Sequence, residues 1–183
     1  MLGENFPGIL EAARTGAEWA WTAIYRDLAA AVLGYLRAHR AHEPEDLTGE
    51  VFLQVVRDLS RFQGGEREFR AWVFVIAHHR LLDEARRGAR RPLDLEPDGP
   101  AVVSDAEGVE TQVIESTAAD SVRRIIDRLP PEQRDVLLLR VIGDLTVEEV
   151  ARAIGKSSGA VKALQRRGVA SIRRTLTEEG VPL

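Results

Sequence analysis

Seven basic residues and no acidic residue lie between Arg152 and Arg174 of this 183-residue chain, whose formal net charge is −4. Guanidinium and ammonium groups in such a run can neutralise the phosphates of a nucleic acid. A solvated helix face is the alternative interpretation, but such faces normally mix charges of both signs. The local reversal of sign therefore favours nucleic-acid binding in this part of the chain.

The elements that must position these cations are two short helices. Apolar residues recur at helical spacing from Val147 to Ile154, which predicts one helix with a single inward stripe. Thr146 and Glu149 have the spacing of a capping box at its start. Gly155 then ends the helix in the left-handed conformation that glycine adopts at little cost.

A second helix is predicted to begin at Ser157 or Ser158, either of which can act as the N-cap. One of its faces is apolar or small and is predicted to pack inward, with Val161, Leu164, Gly168 and Ile172. The opposite face carries Gly159, Lys162, Ala163, Arg166, Ala170 and Arg173. Helix, glycine turn and basic helix make a helix-turn-helix, whose second helix enters the major groove.

The composition argues against catalysis and against bound cofactors. The chain has no cysteine, which excludes disulfides and thiolate metal sites. The pairs His39/His42 and His78/His79 lack the carboxylate or cysteine pattern of a metal site, and no phosphate-binding loop is present. No run approaches the roughly 18 apolar residues of a membrane span. We therefore expect a cytoplasmic non-enzyme with no metal, cofactor, small-molecule substrate or membrane insertion.

The rest of the chain predicts an all-α protein of two small helical bundles. Apolar residues near period 3.6 predict four helices in the first half, over Phe6–Arg14, Ala17–Leu36, Pro44–Leu59 and Glu68–Arg87. Two more, over Ala119–Arg128 and Pro131–Val141, precede the helix-turn-helix.

The bundles are joined by a flexible acidic linker, rich in proline and glycine and without apolar period. The linker could mimic nucleic acid in a basic channel, but a solvated connection is the simpler interpretation. The predicted domains are residues 1–91 and 119–183, with the linker over residues 92–118.

Both bundles resemble one family, the extracytoplasmic-function (ECF) sigma factors of bacterial RNA polymerase. In the first half, residues 45–53 (EDLTGEVFL) resemble the polymerase-docking helix of that group, and residues 69–87, from FRAWVFVIA onward, resemble its promoter-melting helix. In the second half, residues 129–140 (LPPEQRDVLLLR), 145–151 (LTVEEVA) and 159–162 (GAVK) are similar to its fourth-region helix-turn-helix. The resemblance covers nearly the whole chain except the linker.

The resemblance implies a transcription initiation factor with three functional surfaces. Docking on the largest subunits of core polymerase would use Asp46, Leu47, Glu50, Phe52 and Gln54. Recognition and melting of the −10 promoter element would use Phe62, Gln63, Gly64, Arg67, Arg70, Trp72, His79, Arg80, Arg86 and Arg87. Reading of the −35 element would use Arg140, Glu148, Ser158, Gly159, Ala160, Lys162, Ala163, Arg166, Arg167 and Arg173. The family also implies an anti-sigma factor as a controlling partner.

Two other classes of protein remain open from the residues alone. A conventional repressor or activator would combine the helix-turn-helix with an N-terminal helical sensor, and would bind a palindrome as a dimer. A protein-interaction adaptor or anti-sigma antagonist is disfavoured by the uninterrupted basic run.

Overall fold

A computed structural model describes residues 2–90 and 122–178, and these form helices and turns without any strand. The N-terminal half contains helices α1 (Phe6–Arg14), α2 (Glu18–Ala38), α3 (Pro44–Asp58) and α4 (Glu66–Arg90), with 3-10 turns at Gly3–Asn5 and Leu59–Arg61. The C-terminal half contains helical residues 122–127 (α5), then α6 (Pro131–Val141), α7 (Val147–Ile154) and α8 (Ser158–Glu178). The expected all-α class is confirmed.

The helix boundaries follow the sequence pattern closely. Helices α1 and α6 have the predicted bounds, while α4 begins two residues earlier than predicted and continues to Arg90. The earlier start has a local cause, because the Glu68 carboxylate accepts the amide of Gly65 at 3.0 Å and so caps the first turn. The predicted linker, residues 92–118, and the start of the predicted helix at Ala119 lie outside the described residues.

Helix α3 is amphipathic and packs between α2 and α4. Pro44 occupies its first turn, where a missing amide costs nothing, and the Thr48 hydroxyl donates to the Pro44 carbonyl at 2.7 Å. Val51 and Val55 are fully buried on its inner face. The core that they join includes Tyr35 of α2 and other large side chains from α2 and α4: Ile24, Leu36, Phe69 and Phe74.

Side-chain contacts from two residues and the backbone conformation of one glycine fix the loop before α4. The Glu66 carboxylate accepts the backbone amides of Leu2 and Gly3, which ties the N-terminal residues to the start of α4. Arg14 of α1 donates to the Phe62 carbonyl at 2.7 Å. Gly64 has φ +145°, a conformation open to glycine alone among common residues. The loop is therefore fixed by the fold.

The helix-turn-helix has the local geometry that its sequence predicts. The Thr146 side chain accepts the Glu149 amide at 3.2 Å while the Glu149 carboxylate accepts the Thr146 amide at 2.6 Å. Gly155 is left-handed at φ 65°, and the Ser157 hydroxyl accepts the amide of Ala160 at 3.2 Å. The capping box and the glycine end of the first helix are thus confirmed, and Ser157 caps the second.

The two halves are in contact with each other. Helix α2 packs on α6, and α4 packs on α7, so that the buried apolar residues of both halves form one continuous cluster. Each half still contains four helices, as the sequence predicts: α1 to α4 in the first half and α5 to α8 in the second. The contact brings the first helix of the helix-turn-helix against the predicted promoter-melting helix.

Two glycines are expected to respond oppositely to the same substitution. At Gly143, which follows α6, an added Cβ would lie 2.5 Å from the Leu139 carbonyl oxygen and 2.8 Å from Leu145 Cδ1. Gly143→Ala should therefore destabilise the protein by about 1–3 kcal/mol. At Gly34, within α2, nothing lies within 4 Å of the added Cβ, and Gly34→Ala should stabilise it by about 0.5–1 kcal/mol. Urea denaturation followed by circular dichroism measures both, and equal midpoints would contradict the expected difference.

Candidate nucleic-acid interface

Helix α8 presents the basic face predicted for DNA. Lys162, Arg166, Arg167 and Arg173 are all exposed, whereas Val161 and Leu164 on the opposite face are buried. A shallow groove of about 530 Å³ runs between these side chains, lined by Lys162, Gln165, Arg166, Val169, Ala170 and Arg173. The small residues at the start of the helix, Gly159 and Ala160, leave its backbone accessible to a close partner. The geometry suits insertion in a major groove.

Close packing behind α8 fixes the direction of this face. Gly168 lies against α6, where an added Cβ would approach Leu137 Cδ1 to 2.7 Å. Helices α6 and α8 can therefore come closer together than a larger residue would permit. Lys156, in the turn between α7 and α8, pairs with Glu132 of α6 at 2.8 Å and so ties this turn to α6.

Two side chains assigned to the −35 surface have different surroundings. Arg140 donates through Nη1 to the Leu145 carbonyl, and its Nε is buried. In this structure Arg140 therefore holds the turn between α6 and α7, while its side chain stays partly exposed. Glu148 lies exposed in the first turn of α7.

An aromatic cleft lies between the loop before α4 and the start of that helix. Phe62 stacks on Trp72 with their ring centroids 5.2 Å apart and an interplanar angle of 28°, and Phe69 contacts both rings. The cleft has a volume of about 490 Å³ and is lined by Asp58, Arg61, Phe62, Gln63, Glu68, Ala71, Trp72 and Val75. Glu149 and Arg152 of α7 form its remaining wall. The structure thus brings together Phe62, Gln63 and Trp72 from the predicted −10 set.

Several cations of the predicted −10 set are engaged inside the protein. The Arg70 side chain donates from Nε to the Gly143 carbonyl at 2.8 Å and from Nη2 to the Ile142 carbonyl at 3.0 Å. Arg67 lies 3.7 Å from Glu149. Both contacts cross from the N-terminal to the C-terminal half. DNA would have to displace the hydrogen bonds of Arg70, whereas the Arg67 side chain is 60% exposed.

The remaining cations of α4 stay within the N-terminal half. Arg80 donates to the Gln54 side chain at 2.7 Å and lies 3.6 Å from Glu50, which links α4 to α3. Exposed Arg86 pairs with Asp83 at 3.1 Å, and Arg87 donates to the Asp83 carbonyl at 3.4 Å. These exposed contacts are weak enough for a phosphate to replace them.

The two adjacent histidines of α4 have different environments. His79 is exposed and faces α7 across a second cleft that also contains Gly155. His78 is buried, and its Nδ1 lies 2.9 Å from the Tyr35 hydroxyl. Burial, helped by the nearby His79, lowers the pKa of His78 to about 4, so its imidazole is neutral at neutral pH. His79 alone is therefore placed to meet a ligand.

A second buried histidine lies where α2 meets α6. His39 approaches Asp135 at 3.6 Å, but burial lowers the pKa of His39 to about 3, with smaller contributions from His78 and Arg134. Burial also raises the pKa of Asp135 to about 6. At neutral pH the contact is thus between a neutral imidazole and a carboxylate, and it adds little attraction between the halves.

The predicted docking helix leaves three of the five assigned residues at least partly exposed and buries the other two. Asp46 and Glu50 lie on the outer face of α3, as predicted, and Gln54 is partly exposed. Leu47 and Phe52 are only 4% and 7% exposed, so in this structure they support the face from within and cannot contact a partner. The residues assigned from the sequence do not include Leu53 and Val56, which are 57% and 49% exposed on that outer face.

The helical period could have identified the missed residues. Leu53 follows Asp46 by seven residues and Glu50 by three, which places all three on one side of a helix. Exposed apolar side chains beside acidic ones are common where proteins bind each other. We define the docking face as Asp46, Gly49, Glu50, Leu53 and Val56.

Within residues 2–90 and 122–178, no group of three or more His, Asp or Glu residues has the arrangement of a metal site. None of the helices in these ranges has both the length and the apolar character of a membrane span.

Comparison with known proteins identifies the family. The family model for sigma-70 region 2 matches residues 21–91, and that for sigma-70 region 4 matches residues 119–172. The chain is 35% identical over 147 residues to the ECF RNA polymerase sigma factor ShbA of Streptomyces griseus, covering 77% of this chain and 75% of ShbA. It is 27% identical to SigD of Mycobacterium tuberculosis, covering 98% and 88% of the two chains.

A solved structure supports the same fold. CnrH, in its complex with the cytosolic domain of CnrY, matches with a TM-score of 0.67 and 20% identity, covering 93% of this chain and 96% of CnrH. The chain therefore belongs to the ECF sigma factors, the initiation factors that direct bacterial RNA polymerase to promoters.

Proposed function

We propose that the two halves of this sigma factor divide promoter recognition between them. Residues 1–91 dock on core polymerase and melt the −10 element, residues 119–183 read the −35 element, and residues 92–118 connect them. The observation that carries the proposal is the combination of an aromatic cleft and a basic helix-turn-helix, in the order of sigma regions 2 and 4. The protein would act in the cytoplasm, where polymerase works.

Melting would draw on binding energy alone. An unstacked base of the −10 element would enter the cleft beside Trp72, which is partly exposed and is backed by buried Phe62; stacking on an aromatic ring is worth about 1–3 kcal/mol per base. His79 and the exposed cations Arg86 and Arg87 lie farther along α4, where they would follow the displaced strand. The gain in stacking and in phosphate contacts offsets the cost of opening the duplex.

Reading of the −35 element would use the exposed face of α8. Lys162 and Arg166 lie one helical turn apart and can both reach base edges in the major groove. Arg173 lies two turns beyond Arg166, where the helix meets the phosphate backbone. Glu148, at the start of α7, can accept a hydrogen bond from cytosine.

The factor would bind core polymerase through the docking face of α3. Its carboxylates, Asp46 and Glu50, complement a basic surface on the large polymerase subunits, while Leu53 and Val56 supply apolar area. An anti-sigma protein that covers this face would keep the factor from polymerase. CnrH, which has the same fold, was solved in complex with a partner, CnrY.

Purified protein should direct transcription from specific promoters. Adding this chain to bacterial core polymerase should produce run-off transcripts from promoters of the host, with start sites a fixed distance beyond the −10 element. Core enzyme alone is the control. If core enzyme with and without the chain transcribes every candidate promoter equally, the proposed function is wrong.

Two arginines of α8 should have separable effects on DNA binding. Arg166→Ala should weaken binding to the cognate −35 duplex by about 1–3 kcal/mol and relax the base preference at one position. Arg173→Ala should weaken binding to all sequences alike and reduce the salt dependence. Fluorescence anisotropy with cognate and single-substitution duplexes, each over a salt series, separates the two. Identical profiles for both variants would contradict the assignment.

Leu53→Ser should weaken core polymerase binding several-fold, since it removes a large exposed apolar side chain from the docking face. The matched control is Val141→Ser, which alters an even more exposed apolar residue, 76% accessible, at the end of α6. Neither change should alter folding, because neither side chain is part of the core. Equal polymerase affinities for the two variants in a pull-down titration would remove Leu53 from the docking face.

A further inference from the structure

The loop that forms one side of the aromatic cleft is held by the N-terminal residues of the chain. The sigma-70 region 2 model matches residues from 21 onward, so α1 and the turn before it lie ahead of the matched range. These residues nevertheless contact the loop of residues 62–65 and the first turns of α4 at three places. We call the contacting residues, Leu2, Gly3, Phe6 and Arg14, the N-terminal brace.

Arg14, the last residue of α1, makes the contact closest to the cleft. Its Nη2 donates to the Phe62 carbonyl at 2.7 Å, and its Nη1 donates to the Glu11 carboxylate at 3.3 Å. Phe62 leaves the 3-10 turn with extended backbone, φ −71° and ψ 135°, so its carbonyl lies outside the helical hydrogen-bond ladder. A guanidinium held at two nitrogens fixes the direction of the peptide that joins Phe62 to Gln63.

A chain of aromatic rings connects α1 to the open side of the cleft. Phe6 is buried, and its ring centroid lies 5.5 Å from that of Phe69. The Phe69 ring in turn lies 5.2 Å from Phe62 and 5.7 Å from Trp72, the partly exposed ring on which a base would stack. Because protein cores are densely packed, the position of Phe6 constrains both rings of the cleft.

The first residue of α4 completes the hold on the loop. The Glu66 carboxylate accepts the backbone amides of Leu2 and Gly3, the second of them at 3.0 Å. The loop thus has a fixed residue at each end. Between these ends Gln63 stays exposed on the wall of the cleft, where its amide group can both donate and accept hydrogen bonds.

Fixing a loop before its ligand arrives favours the ligand that fits it. A loop that samples many conformations loses entropy when it binds, and it can adapt to several different bases. A loop with fixed ends keeps its donors and acceptors in one arrangement, so a base with the wrong edge leaves polar groups unpaired. Fixed ends therefore increase the difference in affinity between the right base and the wrong one.

We infer that Arg14 is a positioning residue for −10 recognition: with the rest of the N-terminal brace, it holds the loop of residues 62–65 in the shape that selects one unstacked base. The inference rests on the proposed function, in which the aromatic cleft receives that base. Arg14 acts through the Phe62 peptide and the neighbouring Gln63. Its contribution is to the choice of base and not to the affinity for phosphate.

Two substitutions with opposite changes in charge test the inference. Arg14→Ala removes a cation, and Glu66→Ala removes a carboxylate. Simple electrostatics predicts weaker DNA binding for the first and tighter DNA binding for the second. The brace predicts a loss of base selectivity in both, because each substitution releases one end of the loop.

The measurement uses holoenzyme, assembled from core polymerase and each form of the chain. Fluorescence anisotropy reports its binding to single-stranded oligonucleotides that carry the −10 element of a promoter found in the run-off assay, with each base replaced in turn. Unaltered holoenzyme should prefer one base at the position that the cleft captures. In both variants this preference should fall about fivefold, which corresponds to the loss of roughly one hydrogen bond.

Arg26→Ala is the matched control. It removes a cation from an exposed site on α2, beside Trp19 and Thr22, and should leave the base preference intact. The slope of affinity against salt should be the same for Arg14→Ala as for the unaltered chain, since the inferred role of Arg14 involves no phosphate. A smaller slope for Arg14→Ala would identify a phosphate contact and would count against the inference.

A purely structural role for the brace gives a different result. In that case both variants lose affinity for every oligonucleotide alike, in step with a lower midpoint of thermal unfolding measured by circular dichroism, and the base preference persists. An unchanged base preference in either variant overturns the inference. Tighter binding of all oligonucleotides by Glu66→Ala, with the preference retained, does the same.

Failure of the inference is distinguishable from failure of the proposed function. If unaltered holoenzyme transcribes from specific promoters while both variants keep the base preference, only the positioning role is wrong. If the unaltered chain directs no transcription, or its holoenzyme prefers no base anywhere in the −10 element, the proposed function itself fails.

Discussion

Carbonyl groups at the end of a helix need donors, and the two that directly follow α6 receive theirs from the other half of the chain. Arg70 reaches from α4 to the Ile142 and Gly143 oxygens, where the negative end of the helix dipole also favours its charge. The same guanidinium lies 5.3 Å from the centre of the Phe74 ring, which fixes its direction. Arg70 thus adds a directional polar contact to the apolar cluster that the two halves share.

The local structure was predictable because it is encoded at short range. Thr146, Glu149 and Gly155 determine how the first helix of the helix-turn-helix begins and ends, and each acts on backbone within a few residues. The motifs in their order identified the family, whose assignment leaves no place for an operator-binding repressor with a sensor domain. Several helix boundaries moved by one to three residues, and at the start of α4 the Glu68 cap accounts for the shift.

The contact between the halves was not predictable from the sequence. Its polar part is made by single long side chains, such as Arg40 and Arg70, that reach across to partners 87 and 73 residues away. Such pairs leave no periodic pattern, because periodicity reports only which face of a helix is buried. The assignment of buried Leu47 and Phe52 to polymerase binding has a related cause, since a motif match covers a whole segment and does not distinguish its inner from its outer face.

The double engagement of Arg70 has a consequence for genetics. Its removal would leave two carbonyl groups after α6 without a donor and would also take a cation away from the Phe74 ring. A reporter screen would record loss of folding stability and loss of DNA contact in the same number. The role of such a residue becomes visible only when stability and DNA binding are assayed separately.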